Sequence, residues 1–320
     1  MGKKRVLSLL LLSAVVIFVV VYYTTHREDF ELLTTLSAPA IIALVVLEVL
    51  MILCLGLQMK ILTDHYGLGL TFMQCFGLAR ITSMANLMFG FAAGASAKAV
   101  YLKRFHNLKY GSFIAAIGIA GIIKLMIGGL FATVLLLKLG PTANFLLPIV
   151  AAISASTLLF LSLAHKMPQE CFSFWSVIND LVTEWRLIRD DGKMILQLVL
   201  LSILLFVIYS LEIYFAFEAF GINAPFSVSG VITAFDNLAG AVKLIPGNVG
   251  IKEAIFGMIS ATYAIGINQG VHAAVLHRVV RTAVSVVVSA GFTYELVQRR
   301  QLKTGSRGAE NMANGVTRLP

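Results

Sequence analysis

The chain has 320 residues, 58% of them hydrophobic and only 13% charged, about half the charged share usual in soluble proteins, roughly 25%. That balance excludes a soluble globular domain. The formal net charge of +9 does not point to nucleic acid, because the excess Lys and Arg lies in short segments between apolar runs, where it sets orientation in a bilayer.

The first apolar run, Val6 to Tyr23, follows Lys3, Lys4 and Arg5. It exceeds the roughly 7–15 apolar residues of a signal peptide and offers no small-residue cleavage site, so a retained first span is predicted. Backbone polar groups must be paired within lipid, so each later apolar run of roughly 20 residues is predicted to be helix. These are Ala40–Met59, Tyr110–Leu137, Phe145–Leu163, Met194–Phe220 and Val271–Val297. Two further apolar stretches, Thr71–Phe105 and Phe226–Tyr263, are interrupted by Gly, Pro and charge near their centres. Each is expected to be two half-helices joined at membrane depth and returning to its own side.

With a cytoplasmic amino terminus, this arrangement places Lys60, Lys103, Arg104, Lys109, Lys166, Arg186, Arg189, Lys193 and Arg299 on the cytoplasmic side, with Arg27 and Lys138 opposite. Such asymmetry is the positive-inside signature. Phe174, Ile178, Leu181, Trp185 and Ile188 alternate at steps of four and three, the stripe of an amphipathic helix over about 171–190. It either lies on the cytoplasmic face or packs as a connector. Beyond about residue 298 the chain is polar and Gly-rich, a composition expected of a disordered cytoplasmic tail over 299–320. Cys54 and Cys75 fall in apolar segments and Cys171 in a cytoplasmic one, so no disulfide or thiolate metal site is expected.

The two halves match weakly but in order. Asp64 to Phe72 aligns with Glu218 to Phe226 at an offset of 154 (218 − 64), Gly94 faces Gly250 at 156, and Lys124 faces Arg281 at 157. Three crossings separate the two interrupted stretches, so the second unit is inverted relative to the first. The predicted fold is all-α: a polytopic integral membrane protein with two inverted repeats, at about 40–137 and 194–297, each with a re-entrant helical hairpin. Inverted repeats with discontinuous helices are a transporter architecture.

The sharpest local motif is Leu244-Ile-Pro-Gly-Asn-Val-Gly-Ile-Lys-Glu253. Pro246 and Gly247 end one helix, Asn248 lies in the break, Gly250 permits close backbone approach, and a new helix begins near Ile251. Its N–H groups and positive dipole end suit an anion, with Lys243 and Lys252 on either side. The competing reading is a packed helix with a Pro-Gly kink. Glu253 falls on the first helical turn, which favours a carboxylate in any case, yet at membrane depth it needs a partner, and Arg278 and Arg281 are available. Asp236 and Asn237 precede the motif. In the first unit Arg80, Asn86 and Lys98 occupy the interrupted stretch. Lys98 is placed to snorkel, whereas Lys124 sits mid-span.

Cations within apolar segments (Arg80, Lys98, Lys124, Lys243, Lys252, Arg278, Arg281) outnumber the anions Glu48, Glu212, Glu218, Asp236 and Glu253, which favours an anionic substrate. The histidines show no metal-ligand spacing and no phosphate-binding glycine loop is present, so no cofactor and no ATP hydrolysis are expected.

Pro246-Gly-Asn-Val-Gly-Ile-Lys-Glu253 resembles the Pro-Gly-x-x-Gly-x-x-Glu pattern of the flippase-like membrane domain of the lysylphosphatidylglycerol synthase transmembrane family. Arg278 matches the family's Arg in the following helix. Asn86 to Gly94 with Lys98 to Arg104 resembles its looser first motif, but Phe89-Gly90 replaces Pro-Gly there and no acidic residue follows. The resemblance covers nearly the whole chain. It implies a flippase or related transporter moving an anionic lipid or lipid-linked headgroup between leaflets of the cell membrane. Full-length synthases add a soluble aminoacyl transferase domain, so synthase activity is not expected here. Membrane lipids are the expected partners, and an oligomer is compatible with the sequence. Transport of a small soluble anion or amino acid, and a membrane enzyme or partner subunit acting on lipid-linked phosphate, are the alternatives.

Overall fold

The computed structural model describes residues 36–89, 98, 100–104, 110–140, 145–166, 176–242 and 250–288. Among them the chain is helical, without a strand. In order, the principal helices are α1 (Ala38–His65), α2 (Phe72–Phe89), α3 (Tyr110–Leu139), α4 (Leu146–Leu163), α5 (Ser176–Ile188), α6 (Gly192–Glu218), α7 (Phe226–Val242), α8 (Ile251–Thr262) and α9 (Ile267–Val288). Five of them, α1, α3, α4, α6 and α9, are long and apolar enough to cross a bilayer. They coincide with five of the predicted spans. The expected first span, the Pro246–Gly247 break, residues 90–97 of the first motif and the tail lie outside the described residues.

Their composition explains why these segments form helices in lipid. Hydroxyls within them are satisfied locally: Ser154, Ser202 and Ser210 donate to the carbonyls of Val150, Leu198 and Phe206 four residues earlier at 2.8, 2.7 and 2.9 Å. A hydroxyl paired in this way adds no unsatisfied group to the hydrocarbon. Apolar side chains point outward as well as inward, Leu137 and Val287 being 65% and 72% exposed. An apolar surface of that kind suits acyl chains rather than water.

At the centre, α1 packs along α6, α6 along α7, and α7 against α3. The largest core joins Leu44 and Met51 of α1, Leu205, Tyr209 and Ile213 of α6, Val228 and Ile232 of α7, Phe256 of α8 and Ala273 of α9. A second core lies where α5 packs on α3 and α6, burying Val182, Trp185 and Ile188. Trp185 donates its indole N–H to the Leu161 carbonyl at 2.8 Å, and Tyr66 donates its hydroxyl to buried Glu184 at 2.5 Å.

Two turns are built alike. After α1, Gly67 N–H bonds the Asp64 carbonyl at 2.9 Å and Leu68 N–H the Thr63 carbonyl at 3.1 Å. After α6, Gly221 N–H bonds Glu218 at 2.9 Å and Ile222 N–H bonds Phe217 at 3.1 Å. Both glycines are left-handed, with φ of 64° and 67°, the usual helix-ending conformation for glycine. A helix follows each turn, from Phe72 and from Phe226, at the offset of 154 that relates the two sequence halves.

Candidate functional site

A charged cluster lies where α1, α2, α6, α7, α8 and α9 meet. Each side chain is delivered by a helical repeat: Tyr209 and Glu212 stand one turn apart on α6, and His277 and Arg281 stand one turn apart on α9, so each pair shares a face. Lys252, 7% exposed on the first turn of α8, donates to the Tyr209 hydroxyl at 3.0 Å and to His277 Nδ1 at 2.7 Å. An ammonium cannot accept a hydrogen bond, so Nδ1 is the acceptor and the imidazole carries its hydrogen on Nε2. That N–H then donates to Glu212 Oε2 at 2.9 Å. On its other side the Tyr209 hydroxyl donates to Asp236, whose carboxylate is also 3.7 Å from the Lys252 ammonium. An unbroken polar chain therefore runs from Glu212 through His277, Lys252 and Tyr209 to Asp236.

Around this chain are further charges. Arg281 approaches Glu48 at 3.7 Å and lies over the Tyr209 ring at 5.3 Å. Glu48, 3% exposed, accepts from Ser285 at 3.5 Å, and Ser285 accepts from Arg80 at 3.3 Å. Leu44, Glu48, Glu212, His277, Val280 and Arg281 line a crevice too tight to admit a water molecule. Charges without water remain stable only when paired and hydrogen-bonded, and the interlocking of these groups meets that need.

A second ion pair stands at the start of α8. Glu253 is 2.8 Å from Arg278, and its carboxylate also accepts the N–H of Gly250 at 2.8 Å. Gly250 has φ of 84°, and a Cβ added there would meet none of the described residues within 4 Å. Its glycine is required by backbone conformation, not by the close approach expected from the sequence. The close approach falls at Gly270 instead, where a Cβ would lie 2.5 Å from the Phe256 carbonyl oxygen and 2.6 Å from the Ser260 hydroxyl. This contact draws α8 and α9 together and sets Glu253 beside Arg278.

Of the residues singled out in the sequence, Arg80, Asp236, Lys252 and Arg281 belong to the cluster, and Gly250, Glu253 and Arg278 to the neighbouring pair. Lys252 is not poised at the helix start for an external anion; it is held inside by Tyr209 and His277. Asn237 follows Asp236 on α7, and its amide nitrogen is buried without a hydrogen-bond partner among the described residues. Lys98 and Lys124 are half-buried. Lys243, Pro246, Gly247 and Asn248, and the side chain of Asn86, lie outside the described residues. The sequence reading missed Glu48, Tyr209, Glu212, His277 and Ser285 as site members. Two signals could have found them: an ionisable residue in an apolar run needs a partner, and the spacings 209/212 and 277/281 place pairs on one face. The excess of cations expected over all apolar segments is not a property of the cluster. There Arg80, Lys252 and Arg281 meet three carboxylates, Glu48, Glu212 and Asp236. No His, Cys, Asp and Glu grouping suited to a metal occurs among the described residues.

No curated protein and no solved structure matches the chain. The multi-pass helices agree with a family described as the lysylphosphatidylglycerol synthase TM region, whose sequence model matches residues 5–289, and the chain belongs to that family.

Proposed function

We propose that this protein is a lipid transporter that moves an anionic lipid or lipid-linked headgroup between the leaflets of the cell membrane, and that it acts by transport, not as an enzyme. The observation that carries the reading is Arg281. Its carboxylate partner Glu48 is almost wholly enclosed, yet the Arg281 side chain is 39% exposed, so an incoming anion can reach this residue. The crevice behind it is too narrow to enclose a solute. A lipid needs no such enclosure, because its headgroup can enter among the helices while its acyl chains stay against their apolar exterior. Membership of the synthase membrane-region family agrees with a lipid substrate.

The twin turns at Gly67 and Gly221, followed by α2 and α7 at one constant offset, support two repeats that each carry a helical hairpin. The asymmetry of Lys and Arg supports their inversion and a cytoplasmic position for both termini. Substrate meets the protein at the interface between the repeats, with Arg281, Arg278 and the buried amide of Asn237 as its ligands.

The test is reconstitution of the purified chain into liposomes with fluorescently labelled phosphatidylglycerol, scored by the fraction of label open to a membrane-impermeant quencher. Protein-dependent exposure of the inner-leaflet label, reduced by Arg281→Gln, is expected. Absence of exchange together with uptake of a water-soluble anion would overturn the lipid reading.

A further inference from the structure

Glu48 on α1 and Glu212 on α6 turn into the same crevice and are 3% and 1% exposed. Glu48 Oε1 accepts from Ser285, and Glu212 Oε2 accepts from His277. The other oxygen of each, Glu48 Oε2 and Glu212 Oε1, is buried with no hydrogen-bond partner among the described residues, although Arg281 Nε stands 3.7 Å from the first. Both side chains line this one narrow crevice, together with His277 and Arg281.

Two ionised carboxylates are acceptors only, so side by side in a dry crevice they repel and leave these oxygens unsatisfied. A single proton resolves both problems, because a protonated carboxyl donates to its ionised neighbour and the pair shares one negative charge. His277 cannot hold that proton instead. Its Nδ1 faces the Lys252 ammonium at 2.7 Å, and a hydrogen there would point at a like charge. Arg80, reaching Glu48 through Ser285, and Lys252, reaching Glu212 through His277, remain positive.

The charge balance then follows. With both glutamates ionised, the three cations of the cluster face three carboxylates and the sum is zero. With the shared proton bound, the sum is +1, which one monoanionic headgroup returns to zero. Proton and anion therefore bind together, and each raises the affinity for the other by the same factor.

We propose that Glu48 and Glu212 form a shared proton site and that the protein moves one proton together with each anionic headgroup. The proposal rests on the lipid-transport reading and adds its coupling ion. The described arrangement is the protonated, anion-ready form. Release of the headgroup removes the compensating charge and favours release of the proton to the same side, so that net movement of lipid follows the proton gradient.

The experiment uses the full chain in liposomes containing fluorescent phosphatidylglycerol, with a pH-sensitive dye in the lumen and a pH difference of one unit. One-to-one coupling should enrich the label by up to about tenfold in the leaflet facing the alkaline side, matching the tenfold proton ratio. Lumenal pH should change in step. Glu48→Gln and Glu212→Gln should each abolish that enrichment. Exchange that ignores the gradient and moves no protons overturns the coupling while leaving lipid transport standing. If no labelled lipid exchanges, the lipid reading falls, and the infrared carbonyl stretch of a protonated carboxyl decides the proton site. A band at neutral pH that either Gln variant removes upholds it; absence of the band in the unaltered protein overturns it.

Discussion

The Glu253 carboxylate joins two elements at once, holding Arg278 of α9 at 2.8 Å and the Gly250 N–H at the start of α8 at 2.8 Å. It is both the anion at the positive end of the helix and the partner of a membrane-depth cation. Glu253→Gln and Arg278→Gln should each lower stability, and the double variant should lose less than the sum. A double-mutant cycle followed by thermal unfolding in detergent should return a coupling of about 0.5–3 kcal/mol. Strict additivity would assign Glu253 to the helix start alone.

Gly250 and Gly270 should respond to alanine for different reasons. At Gly250 no described residue crowds an added Cβ, but φ is 84°, so the cost is backbone strain of about 1–3 kcal/mol. At Gly270 the added methyl meets the Phe256 carbonyl at 2.5 Å, and overpacking costs about 1–3 kcal/mol while prying α8 from α9. Only Gly270→Ala should also weaken the Glu253–Arg278 coupling, measured by the same cycle in its background.

Lys252 is the hub of the buried chain, so Lys252→Met should leave Asp236 without its cation and Tyr209 and His277 without their donor. Breaking one side of such a pair costs about 3–5 kcal/mol. Adding Asp236→Asn should restore part of that loss. A fluorescence-detected melting series of the two single variants and the double variant checks this, and a double variant no more stable than Lys252→Met would refute it.

Outside the spans, Asp191 begins α6. Its carboxylate accepts the Met194 N–H at 3.0 Å and lies 3.2 Å from His65. The Met194 bond, then His65, holds this carboxyl below its usual value of 3.8. A carboxyl depressed on folding contributes stability above the unfolded value and loses it as pH falls through the folded one. Asp191→Ala should therefore lower the melting temperature at neutral pH, and the gap to the unaltered protein should close below about pH 4. A gap that persists in acid would mean that the cap charge is immaterial.

Topology is open to labelling. If α7 and α8 form a hairpin that returns to its own side, cysteines replacing Asn223 and Asn268 should both react with an impermeant reagent from outside. One replacing Lys60 should react only from the cytoplasm. Opposite accessibility of positions 223 and 268 would show a full crossing and remove the inverted-repeat reading.

The spans were legible because crossing lipid as helix demands long apolar runs with internally paired backbones, and α1, α3, α4, α6 and α9 follow that demand. Glu253, one turn into a helix and in need of a partner, pointed to Arg278 for the same reason: a charge at membrane depth is costly alone. The remaining cluster was legible only in part, through Arg80, Asp236, Lys252 and Arg281. Glu48, Tyr209, Glu212, His277 and Ser285 are single polar residues in apolar sequence, and their meaning depends on which faces of α1, α6 and α9 turn toward one another. Periodicity gives a face but not its neighbour. That choice was made by tertiary packing, in particular by the contact of Gly270 with Phe256 and by the seating of α1 along α6, which brings two carboxylates into one crevice. Sequence alone determined that this is a multi-pass membrane protein with charges that must be paired; only the fold decided which charges share a site.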